Sequence, residues 1–423
     1  MSSVARVPRV LSYLCVRSPL LLVVLAALLA SAPASAQFLE VSGQPNIGTA
    51  NLGSSISETF VFQAQSVFQQ TSRAKAVTQG AAGLDFSVTS DNCNTSLHVG
   101  DYCQIVVSFT PTVAGLRLGA INKNYSFGML LTIPIYGNGY GPQAAFGPPT
   151  GISIAPSVNG LSLGNPSLAQ GIGGVAIDGT GDVFISDPGN DRVVKVPAGG
   201  GAATSIPPAD QSYQVTFPTV LAVDGSGLLY IGNSLSSENP FGGSYVVVAL
   251  PGNEFGGINP TVNGLGISYV SGLVIDGAGD VFIADCGNTR VIEFTPSTGS
   301  AIAIDPTVNG IPLSCANGLA IDNSGNLLIA DSSNDRIIEI TNLGAGTASV
   351  LDPGVGLDYP YGLAVDGAGN LFIAEPNINR VLEVPAGGGN AIEVGSSLNF
   401  PSGVVVDGVG DLFIADGKND RVL

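Results

Sequence analysis

The chain has 423 residues and a formal net charge of −18; only 11% of residues are charged, while 58 are glycine. So acidic a surface repels phosphate backbones and anionic headgroups, which excludes nucleic acid as a partner and adsorption to anionic membranes. Abundant Gly beside Val, Ile and Leu, with no long run of helical period, points to an all-β protein of short strands and tight turns.

Residues 1–36 read as an export signal. Arg6, Arg9 and Arg17 precede an apolar run from Leu20 to Ala30, and Ala34-Ser35-Ala36 offers small residues for cleavage before Gln37. That run is too short to span a bilayer, and no later stretch is long and apolar enough, so no membrane insertion is expected. Cys15 precedes the apolar run, which argues against a lipid anchor. The expected location is secreted, extracellular or periplasmic. Removing three Arg and no acidic residue takes the charge from −18 to −21. Four cysteines remain, an even number suited to an oxidising compartment. Cys93 and Cys103 are close enough to staple one hairpin, which leaves Cys286 to pair with Cys315.

Residues 37–141 contain strand-like runs: "SETFVFQAQ" (Ser57 to Gln65), "CQIVVSFTP" (Cys103 to Pro111) and "LLTIPIYGNG" (Leu130 to Gly139). Short strands separated by turn signals predict a β-sandwich. The pattern "CQIVVSFTPTVAGLRLGAI" followed by "IPIYGNGYGP" resembles the immunoglobulin-like domains of the choice-of-anchor or ASH type in exported bacterial proteins. That resemblance implies a module that presents or spaces other domains. The sole histidine, His98, lies between the two cysteines and reads as a surface-loop residue. "GPQAAFGPPTG" (Gly141 to Gly151), rich in Gly and Pro, reads as a linker centred on residues 142–149.

From residue 150 to 423 one phrase recurs. "DGAGDVFIADCGNTRVIEF" begins at Asp276, and its copies begin at Asp178, Asp224, Asp322, Asp366 and Asp407, in steps of 46, 52, 46, 44 and 41 residues. Each copy has an apolar strand such as Gly272 to Ile275, an Asp-Gly-x-Gly reversal, and a second strand such as Val281 to Ala284. A four-residue loop then leads to a third strand opening on Arg290 or its equivalent, and a weaker fourth completes the unit. The strands are continuously apolar, so both faces of each small sheet need burial. Sheets stacked around an axis bury both, which predicts a β-propeller. There is no Trp for a Trp-Asp repeat; the form "GLAIDxxGNLLIADxxNDRI" resembles the NHL repeat. "ISIAPSVNG" (Ile152 to Gly160) matches "IAIDPTVNG" (Ile302 to Gly310), a fourth strand, yet no blade precedes it. The last copy stops at Leu423 inside its third strand, so residues 150–160 are expected to supply its missing edge and close a ring of six. The alternative is a chain with further blades beyond Leu423. The fold class is therefore all-β: a six-bladed NHL-type propeller preceded by an immunoglobulin-like sandwich.

The repeated acid–base pairs Asp187/Arg192, Asp285/Arg290, Asp331/Arg336, Glu375/Arg380 and Asp416/Arg421 face each other across one hairpin loop, where bidentate pairing is expected. A feature present in almost every copy is scaffold, since catalysis needs one unique constellation. Peptidylglycine-amidating and streptogramin lyases, which the fold resembles, rely on propeller histidines, and residues 150–423 have none. Calcium-dependent lactonases use Glu, Asn and Asp around the channel, but no spacing marks such a site. Hence no catalytic residue, metal ligand or cofactor is assigned. The second copy departs from the rest: Asn233 is followed by "SLSSENPFGGS" (Ser234 to Ser244), without the Arg. That loop and the segments leading into each first strand share a face, which carries Phe217, Asn233, Tyr269, Tyr359, Tyr361 and Phe400. Aromatic rings among polar groups suit a protein, peptide or carbohydrate partner. A Cys286–Cys315 bridge at this face would pin neighbouring blades. The expected role is a non-catalytic exported scaffold. The alternatives are a metal-dependent hydrolase, lactonase or lyase with a calcium-like ion in the channel, and the sensor portion of a larger assembly.

Overall fold

The structure, a computed structural model, describes residues 38–65, 72–93, 96–124, 130–141, 152–164, 171–206, 215–234, 244–250, 254–341, 343, 346–386 and 390–423. The expected export signal, the linker at 142–149 and the irregular loop at 235–243 lie outside the described residues. Among those residues the regular structure is β, broken by single 3₁₀ turns, and no helix is long and apolar enough to cross a membrane.

The N-terminal part forms two facing sheets. One places Phe38–Ser42, Ile56–Ala64, Tyr102–Phe109 and Phe86–Asp91 side by side; the other runs Asn46–Asn51, Leu130–Tyr140, Gly115–Asn124, Lys75–Thr78 and Ala81–Ala82. Alternation decides which side chains enter the space between them. Phe60, Phe62, Ile105, Val107 and Phe109 meet Ile121, Ile133 and Ile135 there, and Phe86 stacks on Phe109 at 4.9 Å between centroids. Two buried ion pairs, Asp85–Arg117 and Asp91–Lys123, each at 2.7 Å, fasten the sheets together. Cys93, just past the strand Phe86–Asp91, forms the expected disulfide with Cys103 of the neighbouring strand. His98 is exposed.

Among the described residues, 154–422 build six main sheets in chain order, beside a two-stranded ribbon of Thr307–Val308 and Ile311–Pro312. Five have four strands, and the sixth has three, Pro401–Val406, Leu412–Asp416 and Arg421–Val422. Ile154 completes the sixth as a single antiparallel bridge to Val422, with N–H···O contacts of 2.7 and 2.9 Å. The closing contact is a single residue pair, shorter than the edge expected from residues 150–160, and Ile152 stays exposed.

The continuous apolar strands bury both faces, as their composition requires. In Val183-Phe184-Ile185, Phe184 enters the core between the first and second sheets, while Val183 and Ile185 enter the core between the sixth and first. Four further clusters fill the remaining gaps, one per neighbouring pair of sheets. With Val175, Ile177, Ala415 and Val422 sharing a core, the succession closes on itself. The result is a propeller-like ring.

The two parts dock through the repeated Asp-Gly turns. Only the second glycine of each Asp-Gly-x-Gly has the positive φ that the turn needs, as at Gly181 (84°) and Gly369 (88°). The first glycine serves a different purpose. A Cβ on Gly179 would lie 2.0 Å from the Thr78 carbonyl oxygen, and one on Gly367 would lie 2.1 Å from that of Ala114. Turns from all six sheets meet the five-stranded sheet in this way: Gly225 against Gly119, Gly277 against the Tyr136 ring, and Gly408 against the Arg117 guanidinium. The fourth turn has Asn323 there instead. Its Oδ1 accepts the Leu116 N–H at 3.2 Å and its carbonyl accepts Asn138 Nδ2 at 2.9 Å. The sandwich therefore caps one end of the ring, and the segments leading into the first strands form the opposite face.

Candidate functional site

Aligning the six first strands shows how the face opposite the sandwich is made. The lead-in residue is Gly171, Phe217, Tyr269, Cys315, Tyr359 or Phe400, so four of six are aromatic. Phe217, Cys315, Tyr359 and Phe400 adopt φ of 47, 51, 52 and 58°, left-handed values that cost a bulky side chain on the order of 1–3 kcal/mol each. Side chains of the preceding sheet hold them there. Asp191 Oδ1 accepts the Phe217 N–H at 2.7 Å, Asp335 Oδ1 that of Tyr359 at 2.8 Å, and Asn379 Oδ1 that of Phe400 at 2.8 Å. The third sheet has Thr289 at the clamping position, and at that junction the chain uses the Cys286–Cys315 disulfide. The expected bridge between neighbouring sheets is thus present.

Two positions further on, the ring narrows. Thr219, Ser271 and Ser402 donate hydroxyls across the seam to the carbonyls of Val270, Ala316 and Gly173, at 2.8, 2.7 and 2.7 Å. Tyr361 occupies the same position in the fifth sheet. Glycine follows at 174, 272, 318, 362 and 403, because the innermost backbones nearly touch: a Cβ at Gly272 would meet the Asn317 carbonyl oxygen at 1.9 Å. Val or Leu comes next, at Val175, Leu221, Leu273, Leu319, Leu363 and Val404.

These positions enclose an axial cavity of about 330 Å³. Its floor is the Val/Leu ring and glycine backbone, and its mouth is lined by Phe217, Tyr269, Tyr361, Phe400 and Lys418. Burial first, then the neighbouring phenols of Tyr269 and Tyr359, raise the Tyr361 hydroxyl well above the ordinary tyrosine range, so it stays a neutral donor. Tyr359 stacks on Tyr361 with centroids 6.4 Å apart but is not itself a lining residue. Asn233 departs from expectation. It ends the second strand of its sheet opposite Tyr245 and is fully buried, so its side chain lies beneath the face and not on it.

The repeated acid–base pairs are formed, though not as bidentate forks. Arg192 Nε meets Asp187 Oδ2 at 2.6 Å, with counterparts at Arg290–Asp285 (2.9 Å), Arg336–Asp331 (2.6 Å), Arg421–Asp416 (2.7 Å) and Arg380–Glu375. The terminal guanidinium nitrogens turn instead to the incoming segment: Arg192 Nη1 donates to Val158 O and Nη2 to Leu161 O, both at 3.1 Å. Asp187 Oδ1 accepts the Gly164 N–H at 3.1 Å. Each pair therefore ties down the chain that enters its sheet, and none of the ten residues lines the cavity.

Reasoning from composition passed over Lys418. Residues 154–423 carry seven cations; five are the bracketed arginines, and Lys195 contacts Asp182 at 2.6 Å. Lys418, exposed, sits with its ammonium 4.7 Å above the Phe400 ring. The signal was there to find: the matching loop position holds Gly189, Gly287, Ser333 and Asn377 in the four other copies that keep this loop.

Among the described residues, fold and mouth together define an all-β, propeller-like protein with an axial cavity. No family model matches the chain, and no curated protein does. Among solved structures it is similar to virginiamycin B lyase from Staphylococcus aureus, at 16% identity and TM-score 0.43 over 59% of this chain and 78% of that one. It is also similar to a streptogramin B lyase, at 12% identity and TM-score 0.46 over 83% and 96% of the two chains. An auxiliary nutrient binding protein from Bacteroides thetaiotaomicron is similar at 10% identity and TM-score 0.48, over 91% and 96%.

Proposed function

We propose that the chain is an exported binding protein: an immunoglobulin-like module at 37–141, a linker at 142–149, and a six-bladed NHL-type propeller at 150–423 whose aromatic mouth receives the ligand. The carrying observation is the composition of the cavity. Its described lining is apolar and aromatic, with hydroxyls and one ammonium, and includes no Asp, Glu, His or Cys. Hydrolysis or elimination needs a positioned acid, base or metal-ligand set. Among the described residues no group of three or more His, Cys, Asp or Glu side chains is placed to hold a metal ion. What remains is recognition: stacking on Phe217, Tyr269 and Phe400, and hydrogen bonding to Tyr361. Aromatic rings among polar groups leave protein, peptide and carbohydrate open as partners; a cavity of about 330 Å³ suits a small molecule or the end of a longer one.

Glycan and peptide arrays probed with the full chain and with Tyr361→Leu and Tyr269→Leu variants test this reading. Signals lost in both variants support it; signals that persist in both place recognition elsewhere. Metal analysis of the purified protein tests the rival, since a stoichiometric divalent ion would favour the hydrolase or lyase.

A further inference from the structure

We infer that the ligand of the axial mouth carries a carboxylate on an apolar or aromatic body, with Lys418 receiving the carboxylate. The inference rests on the mouth being the binding site and adds the chemical class of what it binds.

Three observations converge on this class. Below the mouth the described lining is mostly hydrocarbon and glycine backbone, including Val175, Leu221, Leu273 and Val404, and the Thr219, Ser271 and Ser402 hydroxyls there are already donated to carbonyls across the seams, so an apolar body best repays its burial. Lys418 is the one charged side chain of the described lining, the Asp191 and Asp335 carboxylates of this face being engaged with the Phe217 and Tyr359 N–H groups, and alone among the ring's cations its ammonium has no carboxylate within ion-pair distance among the described residues. The Phe400 ring beneath it holds the ammonium over the lining without neutralising it. Finally, the chain's formal charge is −18. An anion is repelled over most of this surface, and among the ring's described residues an unpaired cation beside a cavity whose described lining has no acid marks a place where it is not. The repeat does not require a lysine there, because Gly189, Gly287, Ser333 and Asn377 serve the same turn. A fully polar anion would leave the Leu ring unused, and a neutral apolar ligand would leave the ammonium unused.

The test is calorimetric titration of the full chain with 3-phenylpropionate and with its uncharged analogue 3-phenylpropionamide, for the parent, Lys418→Met and Lys418→Arg. The acid is expected to bind about tenfold more tightly than the amide, as one charge-assisted contact allows. Lys418→Met is expected to collapse that ratio to near one, and Lys418→Arg to preserve most of it. Equal binding of acid and amide by the parent, a ratio that survives Lys418→Met, or no acid binding at millimolar concentration each overturns the inference. Amide binding that disappears in Tyr361→Leu would leave the mouth standing as the site even then. Loss of Tyr361 dependence for both probes would remove the underlying reading itself.

Discussion

Arg336 Nε lies 2.6 Å from Asp331 Oδ2, with the arginine side chain 9% exposed and the aspartate fully buried. The remaining guanidinium donors are spent on Val308 O at 3.1 Å and Ile311 O at 2.9 Å, so a single residue links its own sheet to the segment entering it. Arg336→Ala leaves a carboxylate buried without its counter-charge. The expected cost is about 3–5 kcal/mol, measured by denaturant unfolding. Arg421→Ala at the equivalent place in the sixth sheet is expected to cost less, because Arg421 is 27% exposed and water can replace it.

The docking of sandwich on ring rests on backbone contact at the first glycine of the turns. Gly367→Ala puts a methyl carbon 2.1 Å from the Ala114 carbonyl oxygen, a contact that only movement of the two bodies relieves. A loss of roughly 1–3 kcal/mol is expected, with earlier proteolysis between the two parts. Gly199→Ala, where an added Cβ meets nothing within 4 Å and φ is ordinary, is the matched control and is expected to change little.

Cys286 and Cys315 are 29 residues apart, and their bridge takes the place of the side-chain clamp used at three other junctions. Closing a loop of that size restricts the unfolded chain by roughly 3–4 kcal/mol in the chain-entropy account. The Cys286→Ser, Cys315→Ser double variant is expected to lose stability on that scale under oxidising conditions. Under reducing conditions its unfolding midpoint should differ less from the parent's, provided Cys93–Cys103 is treated alike in both.

Asp276, in the turn of the third sheet against the sandwich, has its carboxyl pushed up to about 6 by burial first, with the charges of Asp280 and Glu293 adding. A carboxyl that binds its proton more tightly when folded contributes stability below the unfolded value near 3.8, and that contribution is lost as pH rises through about 6. Asp276→Asn keeps an oxygen to accept the Ala278 and Asp280 N–H groups, both at 2.9 Å. The variant is expected to gain on the parent as pH climbs from 4 to 7, reaching about 2 kcal/mol. A difference flat across that range would contradict the assignment.

Much of this was legible because repetition isolates constraint. Six copies of one phrase, all with doubly apolar strands, require sheets shielded on both faces, and the orphan "ISIAPSVNG" indicated how the succession closes at Ile154 and Val422. The disulfides followed from parity and spacing. The seam between sandwich and ring was not legible, because Gly179 and Thr78 meet only in three dimensions, and a glycine required by a neighbour reads the same as one required by a turn. Asn233 misled for a related reason: a break in the repeat marks a changed environment but not its depth, and here the residue is buried. Lys418 went unremarked because a lone lysine in a polar loop has no pattern until the other cations are found paired.

The most direct test of the axial mouth as the binding site is a proton–carbon NMR titration of the full chain, with tyrosine rings labelled, against a ligand from the arrays. The chain has 11 tyrosines and no tryptophan, so the spectrum is sparse. Saturating ligand is expected to move the Tyr269, Tyr359 and Tyr361 resonances and leave distant rings such as Tyr102 and Tyr140 in place. Movement confined to Tyr102, Tyr140 or the sandwich, with the three mouth tyrosines unchanged, would contradict the account.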